Sequence, residues 1–259
     1  MFNTIVLKKE NDVAIVTLSR PGRLNALSVE LLEELTKVME EMESCDDIKS
    51  VVITGGEKVF CAGADVNMFP GLSSADQAYD FVEKFKYALA SLKRLSKPVI
   101  AAVCGYALGG GMELSLHCDM RIAAEDAMFG LPEVNIGAFP AAGGTQILPR
   151  IIGVALAKEM LLVGDPISGA EAYRVGMVNK VYPKKDVLNE ALKLAKNLAK
   201  KPAYAVKTIK RLVDNGIEMD LSRALTYESS SFVGIWASDD FKEGYTAFLE
   251  KRKPVFNGR

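Results

Sequence analysis

Short apolar runs rich in β-branched residues, at 13–18, 51–54 and 98–103, are separated along this chain by long amphipathic helical stretches. That alternation leaves few folds open, because strands joined through helices pair mostly in parallel, as in α/β domains, and not as sandwiches or bundles. Ser28 is placed to cap a helix over 29–44, where Leu31, Leu32, Leu35, Val38, Met39 and Met42 fall at helical spacing and glutamates take the other face. The pattern repeats over 75–95, and 120–124 is a further strand candidate. From about residue 185 the strand signals stop, and 187–201, 203–215, 221–236 and 239–251 all read as helices. The expected architecture is an α/β body over 1–195 that carries the active site, followed by a helical part over 196–259.

A chain of 259 residues suits one large domain with an appendage. Its 49% hydrophobic content and mean hydropathy of +0.11 hint at surface buried between subunits. With 32 basic against 33 acidic residues, the overall field favours neither nucleic acid nor acidic membranes. The first ten residues carry charge and show no export signal, and the run 98–112 is too short and glycine-rich for a membrane span. Four scattered cysteines without a Cys-x-x-Cys pair, together with the single His117, disfavour a zinc site and fit a reducing cytoplasm.

Three segments have the makings of a site. Gly105-Tyr106-Ala107-Leu108-Gly109-Gly110-Gly111-Met112-Glu113-Leu114 leaves an apolar strand, turns through glycines and opens a helix. Its free N–H groups suit a developing oxyanion, although close helix–strand packing asks for the same glycines. It matches neither the phosphate-loop nor the dinucleotide pattern. Phe60-Cys61-Ala62-Gly63-Ala64-Asp65 again frees the backbone, so that Ala64 and Gly110 N–H groups converging on one spot would make a two-donor oxyanion hole. Asp65 itself reads as a helix N-cap. In Phe129-Gly130-Leu131-Pro132-Glu133-Val134, a lone carboxylate sits in an apolar stretch. Burial would raise its pKa toward that of a proton donor, while the plainer reading is a solvent-facing loop glutamate. For Glu113 the plainer reading is a first-turn residue complementing the helix dipole. His117 reads as a satisfied helix histidine, and Cys61 and Cys104 as small buried hydrophobes.

Taken together, these segments resemble the crotonase, or enoyl-CoA hydratase/isomerase, superfamily. The resemblance rests on Leu18-Ser19-Arg20-Pro21 with Asn25-Ala26-Leu27, Ala62-Gly63-Ala64-Asp65, Lys97-Pro98-Val99-Ile100-Ala101-Ala102-Val103, residues 105–114, Cys118-Asp119-Met120-Arg121-Ile122-Ala123, Pro132-Glu133 and Gly143-Gly144-Thr145-Gln146, in order. It implies an α/β spiral of repeated ββα units with C-terminal helices that pack homotrimers or homohexamers. It further implies a CoA thioester held by the N–H groups of Ala64 and Gly110, with Glu113 acting as base and Glu133 as acid in adding water to a 2-enoyl-CoA. No cofactor is implied beyond the coenzyme A of the substrate. Arg23, Ala26, Ala62, Asp65, Val66, Asn67, Gly109 and Ala141 are the positions implied for substrate or CoA contact.

Two positions depart from the family pattern. Ala141 stands where many hydratases have glycine, and Ile147 stands where an arginine is frequent, which points to a reshaped acyl pocket. Phe69, Phe139, Leu131 and Met112 are candidates for lining it, with core packing the plainer role for each. The alternatives are a Δ3,Δ2-enoyl-CoA isomerase, a hydratase for cyclic or branched enoyl-CoA, and a non-catalytic or RNA-binding relative. RNA binding is disfavoured by the glutamate-rich helix at 29–44.

Overall fold

The computed structural model describes residues 2–258. Strands β1 (Ile5–Glu10) and β2 (Val13–Leu18) form an antiparallel hairpin that turns at Asn11, whose φ is 53°. Helix α1 (Val29–Ser44) follows, and the Ser28 side chain accepts from the Leu31 N–H as its cap. The chain then runs through β3 (Ser50–Thr54), β4 (Val59–Cys61), a 3₁₀ turn (Val66–Gly71) and α2 (Ala75–Arg94). It continues with β5 (Val99–Val103), β6 (Tyr106–Leu108) and α3 (Gly110–Leu116), then β7 (Met120–Ala124), β8 (Met128–Gly130), a second 3₁₀ turn (Pro132–Ile136) and α4 (Gly144–Ile152).

These elements form two sheets, β1-β2-β3-β5-β7-β10 and β4-β6-β8-β9. Each successive pair, β3 with β4, β5 with β6 and β7 with β8, gives one strand to each sheet in parallel before a helix returns the chain. A spiral of ββα units results, with the apolar residues of β2, β3, β5 and β7 at its centre. After α5 (Val154–Val163), β9 (Ile167–Ser168), α6 (Gly169–Arg174) and β10 (Lys180–Tyr182), helix α7 (Val187–Ala199) packs back on the larger sheet, where Ser50 Oγ donates to the Ala195 carbonyl at 3.1 Å. The division at 195/196 therefore falls inside α7, whose apolar face belongs to the body.

Helices α8 (Ala203–Gly216), α9 (Leu221–Ala237) and α10 (Asp239–Leu249) complete the described chain. Lys210 ties α8 to the body by donating to the carbonyls of Leu92 and Lys97 and to Asp119 Oδ2. No residue of α9 is buried, and Leu221, Leu225, Phe232, Val233 and Trp236 are exposed. Among the described residues, no helix is long and apolar enough to cross a membrane.

Candidate active site

The Gly-rich turn between β6 and α3 is built around Gly109, whose φ of 52° and ψ of −128° suit only glycine. Its N–H donates to the Gly130 carbonyl at 2.8 Å, which anchors the turn to β8. The next residue, Gly110, opens α3, and a Cβ there would lie 3.4 Å from the Ala64 nitrogen, so the two amides are neighbours. Neither the Ala64 nor the Gly110 N–H donates to another backbone or side-chain atom among the described residues. Two adjacent donors left free in this way suit an oxygen that gains negative charge.

The Ala64 loop is held by the loop before α1. Leu27 N–H donates to the Gly63 carbonyl at 2.7 Å, and Asp65 N–H returns a bond to the Leu27 carbonyl at 3.0 Å. Asn25, at φ 54°, locks the same corner: its Nδ2 donates to the carbonyls of Gly55, Val59 and Phe60, while its Oδ1 accepts from the Arg20 N–H. Asp65 caps the first 3₁₀ turn through the Asn67 N–H, as expected, and also pairs with Arg20 at 3.0 Å. These bonds to Asn67 and Arg20 hold its carboxyl below the usual carboxylate range against the opposing cost of burial.

Glu113 is 3% exposed, and its Oε1 accepts from the N–H groups of Ala142 and Gly144, both at 2.8 Å. The carboxylate thus faces the turn before α4 instead of complementing its own helix. Burial raises its pKa, and the two amides pull against that rise. Glu133 is the second residue of the second 3₁₀ turn, and its carboxyl sits on the bare Cα of Gly109: a Cβ there would come within 2.9 Å of Oε1. Its Oε2 is buried without a hydrogen-bond partner. The solvent-facing reading of this residue does not hold. Burial first, and the nearby Glu113 charge in addition, push its pKa up to about 7.

Glu133, which feels the Glu113 charge, therefore stands on Gly109, the residue before the first of the two free amides. Arg23, Ala26, Ala62, Asp65, Val66 and Asn67 lie on the two stitched loops, where Ala62 N–H donates to the Leu24 carbonyl at 3.1 Å. Arg23, Val66 and Asn67 are exposed, whereas Ala141 sits half-buried next to the Glu113-binding turn. Leu131 and Met112 are core residues. Phe139 and Phe69 are not: at 70% and 40% exposure they stand on surface segments, because the loop before α4 and the first 3₁₀ turn run outside the packed helices. His117 caps the end of α3, with Nδ1 2.9 Å from the Glu113 carbonyl, and burial pushes the Cys61 and Cys104 thiols up to about 12 and about 11. The amides of Ala142 and Gly144 and the side chains of Asn25 and Arg20 had no site role in the sequence reading, although all four fall in or beside motifs it singled out.

A spiral of ββα units that brings two buried carboxylates beside two free amides is the architecture of the crotonase class. The family model for enoyl-CoA hydratase/isomerase matches residues 8–259. The short-chain-enoyl-CoA hydratase of Clostridium acetobutylicum is 40% identical over 258 residues, covering 97% of this chain and 96% of that protein. The crotonyl-CoA hydratase of Syntrophomonas wolfei is 41% identical over 256 residues, covering 98% of each. Among solved structures, an enoyl-CoA hydratase from Bacillus anthracis superposes with a TM-score of 0.95 at 39% identity, covering 99% of this chain and 100% of that one. The chain belongs to the enoyl-CoA hydratase/isomerase family.

Proposed function

We propose that this protein is an enoyl-CoA hydratase, a hydro-lyase that adds water across the C2–C3 double bond of a 2-enoyl-CoA to give the 3-hydroxyacyl-CoA. The observation that carries the reading is that Glu133, whose carboxyl feels the Glu113 charge, sits on Gly109 beside the neighbouring, unpaired amides of Ala64 and Gly110. In this scheme the thioester oxygen accepts from both amides, which draws electron density from C3 and stabilises the enolate-like oxygen that forms on attack. Glu113, its Oε1 already filled by two N–H groups, uses Oε2 to take a proton from water as the water oxygen bonds to C3. Glu133, with a pKa near 7, delivers its proton from the unpartnered Oε2 to C2, and the proton held by Glu113 restores the pair. One water held by both carboxylates gives syn addition.

The loops at 20–27 and 62–67 supply the surface for the CoA portion, with Arg23 an exposed cation on the first of them. No cofactor enters the scheme beyond the coenzyme A on the substrate. Cytoplasmic location and assembly into trimers or hexamers through the bare apolar faces of α8 and α9 belong to the same reading, supported by the bacterial relatives and by the exposure of those faces. The test is to mix the protein with crotonyl-CoA and follow the conjugated thioester absorbance. Its decay, with 3-hydroxybutyryl-CoA as product, supports hydration. A 3-enoyl-CoA converted to the conjugated isomer without any such decay would make the protein an isomerase.

A further inference from the structure

The grip on Glu113 has a second support that the scheme above leaves unused. Ala142 and Gly144 hold the carboxylate, and Gly143 lies between them with a φ of 124°. A Cβ on Gly143 would meet His117 Cε1 at 2.8 Å, Ile147 Cδ1 at 2.8 Å and His117 Nε2 at 3.5 Å, so one edge of the imidazole lies directly against the turn. The ring atom next to Cε1, Nδ1, is 2.9 Å from the main-chain carbonyl of Glu113 itself, which also accepts from the His117 N–H at 3.1 Å. A carbonyl only accepts, which puts the ring proton on Nδ1 and leaves Nε2 bare. The ring is 7% exposed, and burial lowers its pKa to about 4, so it stays neutral and keeps that single donor at working pH. The imidazole thus spans from the backbone of Glu113 to the turn that clamps its side chain.

We propose that His117 is a positioning residue for Glu113, a wedge that fixes the distance between α3 and the 142–144 turn and so aims the carboxylate. The inference rests on the hydratase reading for its kinetic consequence, but the geometry it invokes stands without it. A core residue would be replaceable by any side chain of similar volume. A wedge also needs the donor at the Nδ1 position, which asparagine supplies and leucine does not.

Two variants and two readouts test this. With crotonyl-CoA, H117L should lower kcat roughly tenfold while KM stays within about twofold, since aim matters to the reacting atoms and not to CoA binding. H117N, which keeps the donor but lacks the Cε1 and Nε2 atoms that meet the turn, should recover part of the loss. Equal losses in both variants, an unchanged kcat in H117L, or a rise in KM alone would overturn the proposal. Crystal structures of H117L and H117N, which also report whether each variant folds, decide it independently of turnover. The Ala142 and Gly144 amides should move off Glu113 Oε1 in H117L and remain on it in H117N. A clamp intact in H117L sinks the inference even if the wild type proves inert toward crotonyl-CoA, a result that would instead refute the hydratase reading.

Discussion

On α3 the Glu113 carboxyl receives two main-chain N–H bonds from a distant turn, whereas at the head of the second 3₁₀ turn the Glu133 carboxyl leaves one buried oxygen without a partner. Both are glutamates, both are desolvated, and burial raises the pKa of each. What differs is the backbone around them. Amide donors favour the ionised form and so suit a base, while a desolvated carboxyl that feels a neighbouring negative charge favours the neutral form and suits an acid. In the proposed scheme, the division of labour between identical side chains thus follows from which one the main chain solvates more.

The sharpest way to break this contrast is to remove each carboxyl in turn. E113Q and E133Q should each lower kcat by roughly 10²- to 10⁴-fold in the crotonyl-CoA assay, with KM changed far less. A variant that kept near-normal turnover would lose its assigned role. Next in size is G109A, which demands an unfavourable backbone conformation and presses a methyl to 2.9 Å from Glu133 Oε1. It should cost roughly a hundredfold in kcat. G144A, where the methyl would lie 3.2 Å from Glu113 Oε1 but 2.6 Å from Pro140 Cβ, should disturb the other acid and lower stability as well, read by thermal unfolding.

The smallest effect is on stability against pH. Because the folded-state pKa of Glu133 is raised from 4.5 to about 7, the native state binds more protons than the unfolded chain between those values. Stability held with the carboxyl protonated is therefore lost as pH rises through that window. E133Q lacks the titration, so its Tm relative to wild type should increase from pH 5 to pH 8. A difference that stays flat across that range would mean that Glu133 is not desolvated as described. The same window governs activity: if Glu133 is the acid, kcat/KM should decline above about pH 7.

Local pattern was enough for the long elements. The helix at 29–44 with its Ser28 cap and the strand at 120–124 match α1 and β7 residue for residue, because cap chemistry and hydrophobic period act over neighbours in the chain. The second strand of each spiral unit was different. β4, β6 and β8 have three residues each, too few to show alternation, and they exist because the growing sheet offers them a parallel partner. Phe139 and Phe69 show the same limit from the other side: their composition suggests a core that the path of the chain denies them.

By itself, then, the sequence determined the alternation of strands and helices, the caps, the glycines that free the Ala64 and Gly110 amides, and the pair of acids twenty positions apart. Tertiary structure alone decided what those acids experience. The amides that grip Glu113 come from 29 and 31 residues further along the chain, and Asn25 ties down carbonyls at least 30 residues away. Hydrogen bonds over such separations leave no periodic trace, since they depend on how the spiral closes and not on which residues are neighbours.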